Sequence, residues 1–177
     1  MVVKITRALL TPNKWSRPLK PFFPTGIALH WVENAKTAAI ANRRYFEERK
    51  GGKLGFGSAH YIIDISGEII WCIPEREMAY HVGAKTYTEY ALKHFGDYPN
   101  GRLIGIELCH VDDYGKMTKA TWRAAVELCT YICLNKGIDP GYITTHSAIT
   151  MKKCPRWFVE HPKELFRFRR EVKEKME

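Results

Sequence analysis

The stretch SAHYIIDISGEIIWCI, residues 58–73, decides the fold class. Two β-rich runs, SAHYIIDI and EIIWCI, flank Ser66-Gly67, a pair suited to a two-residue turn, so the segment reads as a β-hairpin. Outward from it the chain alternates. GIALHWV (26–32), RLIGIELC (102–109) and YITTH (142–146) read as short strands, the first two apolar enough to be buried on both faces. Thr37 is placed to cap a helix over TAAIANRRYFEERK (37–50), which stops at Gly51-Gly52. Thr118 or Thr121 starts the helix TWRAAVELCTYICLNKG, whose Trp122, Ala125, Val126, Cys129, Ile132 and Cys133 follow a helical period. YALKHFG (90–96) suggests a short helix inside a Gly- and Tyr-rich loop, and residues 162–175 form a final one. Residues 10–25 hold Pro12, Pro18, Pro21 and Pro24 and form an irregular arm. Strands alternating with helices, but with one hairpin, predict an α/β fold: a central mixed sheet flanked by helices.

A chain of 177 residues is most simply one domain, with a core about 24–160 and a basic helix at 161–177. No run of 18 apolar residues exists, which excludes a helical membrane span. MVVKITRALLTPNKW turns to Pro, Asn and Lys too soon for a signal peptide, so action outside the cytoplasm needs another exit route. The net charge of +9 favours encounter with polyanions: nucleic acid, acidic lipid or anionic cell-wall polymers. No C2H2 finger or RNP-type strand supports nucleic acid. Much of the excess lies in FRFRREVKEKME, whose alternating charges also read as a solvated helix face. The five cysteines form no CxxC pair, and four read as reduced core thiols. Cys129 and Cys133, at i,i+4, have metal-ligand spacing but apolar neighbours, and read as core.

The chemistry concentrates in HSAITMKKCP, residues 146–155. His146 and Cys154 are zinc-ligand types, and the ammonium groups beside the thiol favour its thiolate. His30 closes the apolar run GIALH. Two imidazoles, one thiolate and an open fourth position would make a catalytic zinc site. Glu107, in IGIELC, faces away from Ile106 and Leu108 by strand alternation. It suits a general base near metal-activated water, or a surface carboxylate in a salt bridge. Lys152 or Lys153 would stabilise an oxyanion, and spacing does not choose between them. His81, in AYHVG, lies in a loop that suits substrate contact. His60 is either a residue that orients a ligand or a satisfied buried histidine.

GIALHWV, SAHYIIDISGEIIWCIPEREMAYHVG, RLIGIELC and HSAITMKKCP together resemble the zinc-dependent N-acetylmuramoyl-L-alanine amidases of the amidase-2 type, over roughly residues 24–160. This family includes phage endolysins and Bacillus wall amidases and shares its fold with peptidoglycan-recognition proteins. The resemblance implies a Zn2+ held by His30, His146 and Cys154, with Glu107 as base, Lys152 rather than Lys153 as oxyanion helper, and His81 lining the substrate groove. It implies hydrolysis of the amide between N-acetylmuramic acid and L-alanine in bacterial peptidoglycan, by a monomer. Some phage members carry a catalytic tyrosine where this chain has Ala59, so that role is either absent here or passed to Glu107. An amidase recycling anhydro-muropeptides and a non-catalytic peptidoglycan-binding module are the alternatives; Cys154, Lys152 and Glu107 argue against the second.

Overall fold

The computed structural model describes residues 5–177. The first four residues, part of the segment read as lacking a signal peptide, lie outside it. Six strands form one sheet: β1 (Ile5–Arg7), β2 (Gly26–Trp31), β3 (Tyr61–Ile63), β4 (Ile69–Trp71), β5 (Leu103–Leu108) and β6 (Ile143–Thr145). Their order is β1-β4-β3-β5-β2-β6. Only the β3–β4 pair is antiparallel; the others run parallel. The mixed sheet expected from one hairpin in an alternating chain is therefore present. β1 was not anticipated, since its three residues show no usable period.

The hairpin turn differs from expectation by one residue. Asp64 N–H donates to Glu68 O (2.8 Å) and Gly67 N–H to Asp64 O (2.9 Å), so the loop is Ile65–Ser66–Gly67. Gly67 sits at φ 87°, the left-handed position that closes a three-residue hairpin. Asp64 also ties the turn down: its Oδ2 accepts from the Ser66 hydroxyl at 2.9 Å.

Six helices cover the sheet: α1 (Ala39–Glu48), α2 (Glu89–Phe95), α3 (Lys119–Lys136), α4 (His146–Thr150), α5 (Arg156–Glu160) and α6 (Pro162–Met176). Thr118, not Thr121, caps α3, its hydroxyl accepting from Thr121 N–H at 3.0 Å. Thr37 does not cap α1. Its hydroxyl donates to Asn34 O (2.7 Å), and the first free amide of the helix, Ala39 N–H, donates instead to Asp64 Oδ1 (2.6 Å). A long-range carboxylate replaces the local cap, which a sequence pattern cannot show. α4 and α5, five residues each, were also unforeseen; they are too short for a helical period.

Strand alternation sorts the two faces of the sheet. Ile27, Leu29, Ile104, Ile106 and Leu108 pack in one cluster with Ala125, Leu128, Cys129, Ile132 and Cys133 of α3 and with Phe168 and Val172 of α6. On the opposite face, Ala39 of α1 packs with Ile62 and Ile70, while Ala91 of α2 and Ile149 of α4 pack with Ala28 and Leu103. Cys129 and Cys133 are thus core, and all five cysteines are free and buried. The terminal helix is more than a solvated face. Its exposed side carries ladders such as Arg167–Glu171, but Phe168 is fully buried against Trp122 (5.3 Å between centroids) and Phe158 (5.9 Å). Truncating Phe168 to Ala should cost about 3–5 kcal/mol, read as a lowered urea midpoint with an unchanged slope.

Candidate metal centre and active-site cleft

The site forms at the C-terminal ends of three neighbouring parallel strands, where open α/β sheets place ligands. His30 and Glu107 are register partners on β2 and β5, so their side chains leave the same face. Leu29 pairs with Thr145 at the end of β6, and His146 follows as the first residue of α4. Thr145 caps that helix through Ala148 N–H (3.2 Å). Met151, left-handed at φ 66°, then reverses the chain. The returning segment is fastened by Ser147 N–H donating to Cys154 O (2.8 Å), which brings the thiol back beside the histidines.

One ligand atom from each of His30, His146 and Cys154 lies within 4.8 Å of the other two. His30 Nδ1 stands 3.7 Å from Cys154 Sγ. A tetrahedral zinc with ordinary Zn–N and Zn–S bonds separates such a pair by about 3.5 Å, so the donor set fits this metal. The three residues are buried, at 2%, 9% and 2% exposure. Burial holds both imidazoles neutral: His30 lies well below the usual histidine range, pushed further by His81, His146 and Lys152, and His146 falls to about 4, with Lys152 adding to the effect. Neutral imidazoles present lone pairs without releasing a proton. The Cys154 thiol is pushed up by burial and by Glu107, against the Trp31 N–H and Lys152, so a binding cation must displace its proton.

Glu107 is half-buried, and its Oε2 is sealed from solvent with no hydrogen-bond partner. Burial raises its carboxyl to about 8, Lys152 opposing and Glu33 reinforcing the shift. An acid perturbed this far in a cleft, beside a cluster of metal-ligand types, is suited to proton transfer near neutral pH. Lys152 and Lys153 part company here. Lys152 lines the cleft and pairs with Glu33 (2.9 Å), whereas Lys153 points to Glu160 (2.6 Å). Burial opposes the Lys152 charge, but Glu33 outweighs it and the ammonium is stabilised.

The six residues that the resemblance assigns to the site, His30, His81, Glu107, His146, Lys152 and Cys154, line one cleft of about 840 Å³. His81 sits differently from the expected substrate-facing loop residue. It is 9% exposed, with Nδ1 2.9 Å from His30 Nε2 and Nε2 2.8 Å from Leu103 O. His60 is a satisfied buried histidine: Nε2 meets Glu77 O (2.9 Å), and Nδ1 accepts from Gly105 N–H (3.0 Å). The cleft walls bring residues that sequence reasoning passed over: Phe46, Phe56, Tyr80, Tyr87 and Tyr98 as aromatic surface, and Lys20, Arg49 and Lys85 as cations. Glu33 and Asn100 were also missed, and neither sits in a motif that would have drawn notice. A separate groove of about 420 Å³ beside Trp122 and Trp157 holds none of the six residues.

The family model for N-acetylmuramoyl-L-alanine amidase matches residues 20–157, a span that includes every residue of the cleft floor. This chain belongs to that family. A Bacillus licheniformis protein described as a probable N-acetylmuramoyl-L-alanine amidase is 30% identical over 172 residues, covering 97% of this chain and 48% of its own length. The chain thus spans about half the length of the curated relatives it matches. In fold it superposes on an endolysin from Bacillus subtilis (TM-score 0.76, 22% identity, 97% and 99% of the two chains). It also superposes on the PlyG catalytic domain (TM-score 0.78, 20% identity, 98% and 95%).

The half-buried Glu107 acid, with one oxygen sealed from solvent, bears on stability. Its folded-state value of about 8 exceeds the ordinary 4.5, so between those pH values the folded chain keeps a proton that the unfolded chain has released. Stability contributed at low pH is therefore lost as pH rises through this window. Glu107→Gln should melt about 10 °C above the wild type at pH 7.5 without metal, and level with it at pH 4. Calorimetry at the two pH values checks this, and a difference independent of pH would contradict a protonated buried Glu107.

Proposed function

We propose that residues 1–177 act as one catalytic domain, a zinc-dependent N-acetylmuramoyl-L-alanine amidase that cleaves the amide between N-acetylmuramic acid and L-alanine in peptidoglycan. The observation that carries this reading is the meeting of His30, His146 and Cys154 beside the partnerless buried carboxylate oxygen of Glu107, in a chain of this family. The residues that would hold the zinc are His30, through Nδ1, His146, through a ring nitrogen, and Cys154, through Sγ. Zinc, when bound there, supplies Lewis acidity that polarises a carbonyl and acidifies water.

The chain's own groups do the rest. Glu107 takes a proton from the attacking water and passes it to the departing alanine nitrogen, so one carboxylate serves as base and then as acid. The Lys152 ammonium, held charged by Glu33, stabilises negative charge developing on the lactyl carbonyl oxygen. The aromatic walls offer apolar surface to a substrate, and Lys20, Arg49 and Lys85 suit a stem peptide rich in carboxylates. The products are a muramyl carboxylate and a peptide with a free N-terminal alanine. The site of action is the bacterial cell wall, and the basic surface adds attraction to anionic wall polymers. No helix among the described residues is long and apolar enough to cross a membrane.

Two variants test the assignment. Cys154→Ser should lose stoichiometric zinc, measured by metal analysis after dialysis, together with release of alanine-terminated peptides from purified sacculi. Glu107→Gln should keep one zinc per chain while turnover falls about 100-fold or more. Mass spectrometry of the released peptides identifies the bond cut. Wild-type activity in the Gln variant would remove Glu107 from proton transfer, and products ending elsewhere than at alanine would refute the amidase reading.

A further inference from the structure

We propose that His81 is a positioning residue rather than a substrate ligand: it dictates which nitrogen of His30 carries the proton and so which one is free to bind the metal. The inference rests on the metal-site reading above and adds a device that the reading does not contain. Leu103 O can only accept, so the 2.8 Å contact with His81 Nε2 requires a hydrogen on that nitrogen. A neutral imidazole has one donor and one acceptor, which leaves His81 Nδ1 as a lone pair. That lone pair is 2.9 Å from His30 Nε2, so His30 donates there. His30 Nδ1 is then bare, and it is the nitrogen that faces Cys154 Sγ at 3.7 Å. The order Leu103 carbonyl, His81, His30 transmits a proton choice across two rings to the ligand atom.

The rest of the structure holds His81 to this task. Its backbone N–H and that of Val82 both donate to Oδ1 of Asn100, at 3.0 and 2.9 Å, and Asn100 is 2% exposed. The ring lies flat on β5 at Gly105, where a Cβ would stand 2.6 Å from His81 Cγ. Glycine at that position is thus a space requirement of the ring above it. With both ring nitrogens spent inside the protein, His81 has none left for a substrate. Leu103 and Gly105, which seat His81, share β5 with Glu107, so one strand carries the proposed base and orients the neighbouring metal ligand.

The test has an arm that needs neither metal nor variant. Nitrogen-15 NMR of the metal-free wild type should show His30 and His81 both protonated at Nε2. His30 protonated at Nδ1, or exchanging between tautomers, would overturn the proposal. In the second arm, His81→Leu should bind zinc about 10–100-fold more weakly in competition with a chelator. His81→Asn, whose Oδ1 can still accept from His30 Nε2, should recover most of that loss, as general damage to packing would not. Gly105→Ala, which pushes the ring aside, should weaken zinc as His81→Leu does. Wild-type zinc affinity in a folded His81→Leu protein would sink the idea. If the wild type takes up no zinc at all, the metal-site reading fails instead, and the tautomer measurement still decides what His81 does.

Discussion

The register of β2 against β5 is the constraint on which the site depends. His30 lies opposite Glu107, and side chains on a strand alternate faces. A slip of one residue on either strand would turn one of the two into the cluster formed with α3 and α6. That slip is opposed by burial, because Ile27, Leu29, Ile104, Ile106 and Leu108 already fill the other face. The apolar half of each strand therefore aims the polar half. β6 extends the same logic to a third strand end and hands the chain to α4, whose first residue is His146.

The arrangement is costly on the side of the sheet that carries it. Four histidine rings lie close together there, His30 5.0 Å from His81 and 4.7 Å from His146, with His60 6.0 Å from His81. All four are buried and disfavour charge. A buried carboxyl and a buried thiol share the same space. Such groups oppose folding until a ligand compensates them. The opposite face is apolar and buried, and α6 adds Phe168 and Val172 to it. Both faces of the sheet carry apolar clusters that stabilise the fold, but one of them also holds groups suited to reactivity.

The cleft is also polarised. Its floor holds one acidic side chain, Glu107, whereas Lys20, Arg49 and Lys85 stand around it and Lys152 is paired with Glu33. Arg49 is held by carbonyl oxygens, including Phe56 O at 3.1 Å, and by the Tyr45 hydroxyl, with no carboxylate among its partners. Its charge is therefore not neutralised locally and adds to the field that an entering anionic group meets.

The sequence alone determined the mixed α/β class, because hydrophobic period and turn residues are local signals and the hairpin at 58–73 was the one exception to alternation. It also determined the candidate ligand set, since His146 and Cys154 lie eight residues apart and His30 and Glu107 end apolar strands of similar length. What it left open needed atoms distant in the chain. The cap of α1 comes from Asp64, 25 residues away, and the three residues of β1 show no pattern until they pair with β4. Spacing does not tell Lys152 from Lys153; the resemblance favours Lys152, and in the fold Glu33 and Glu160 draw the two apart. The place of His81 was decided by tertiary structure alone: a loop histidine looks free to meet a ligand, and only folding brings Leu103 O, Asn100 and His30 around it. Spacing along a chain encodes which residue types are near one another in sequence; hydrogen-bond direction depends on partners that the fold alone assembles.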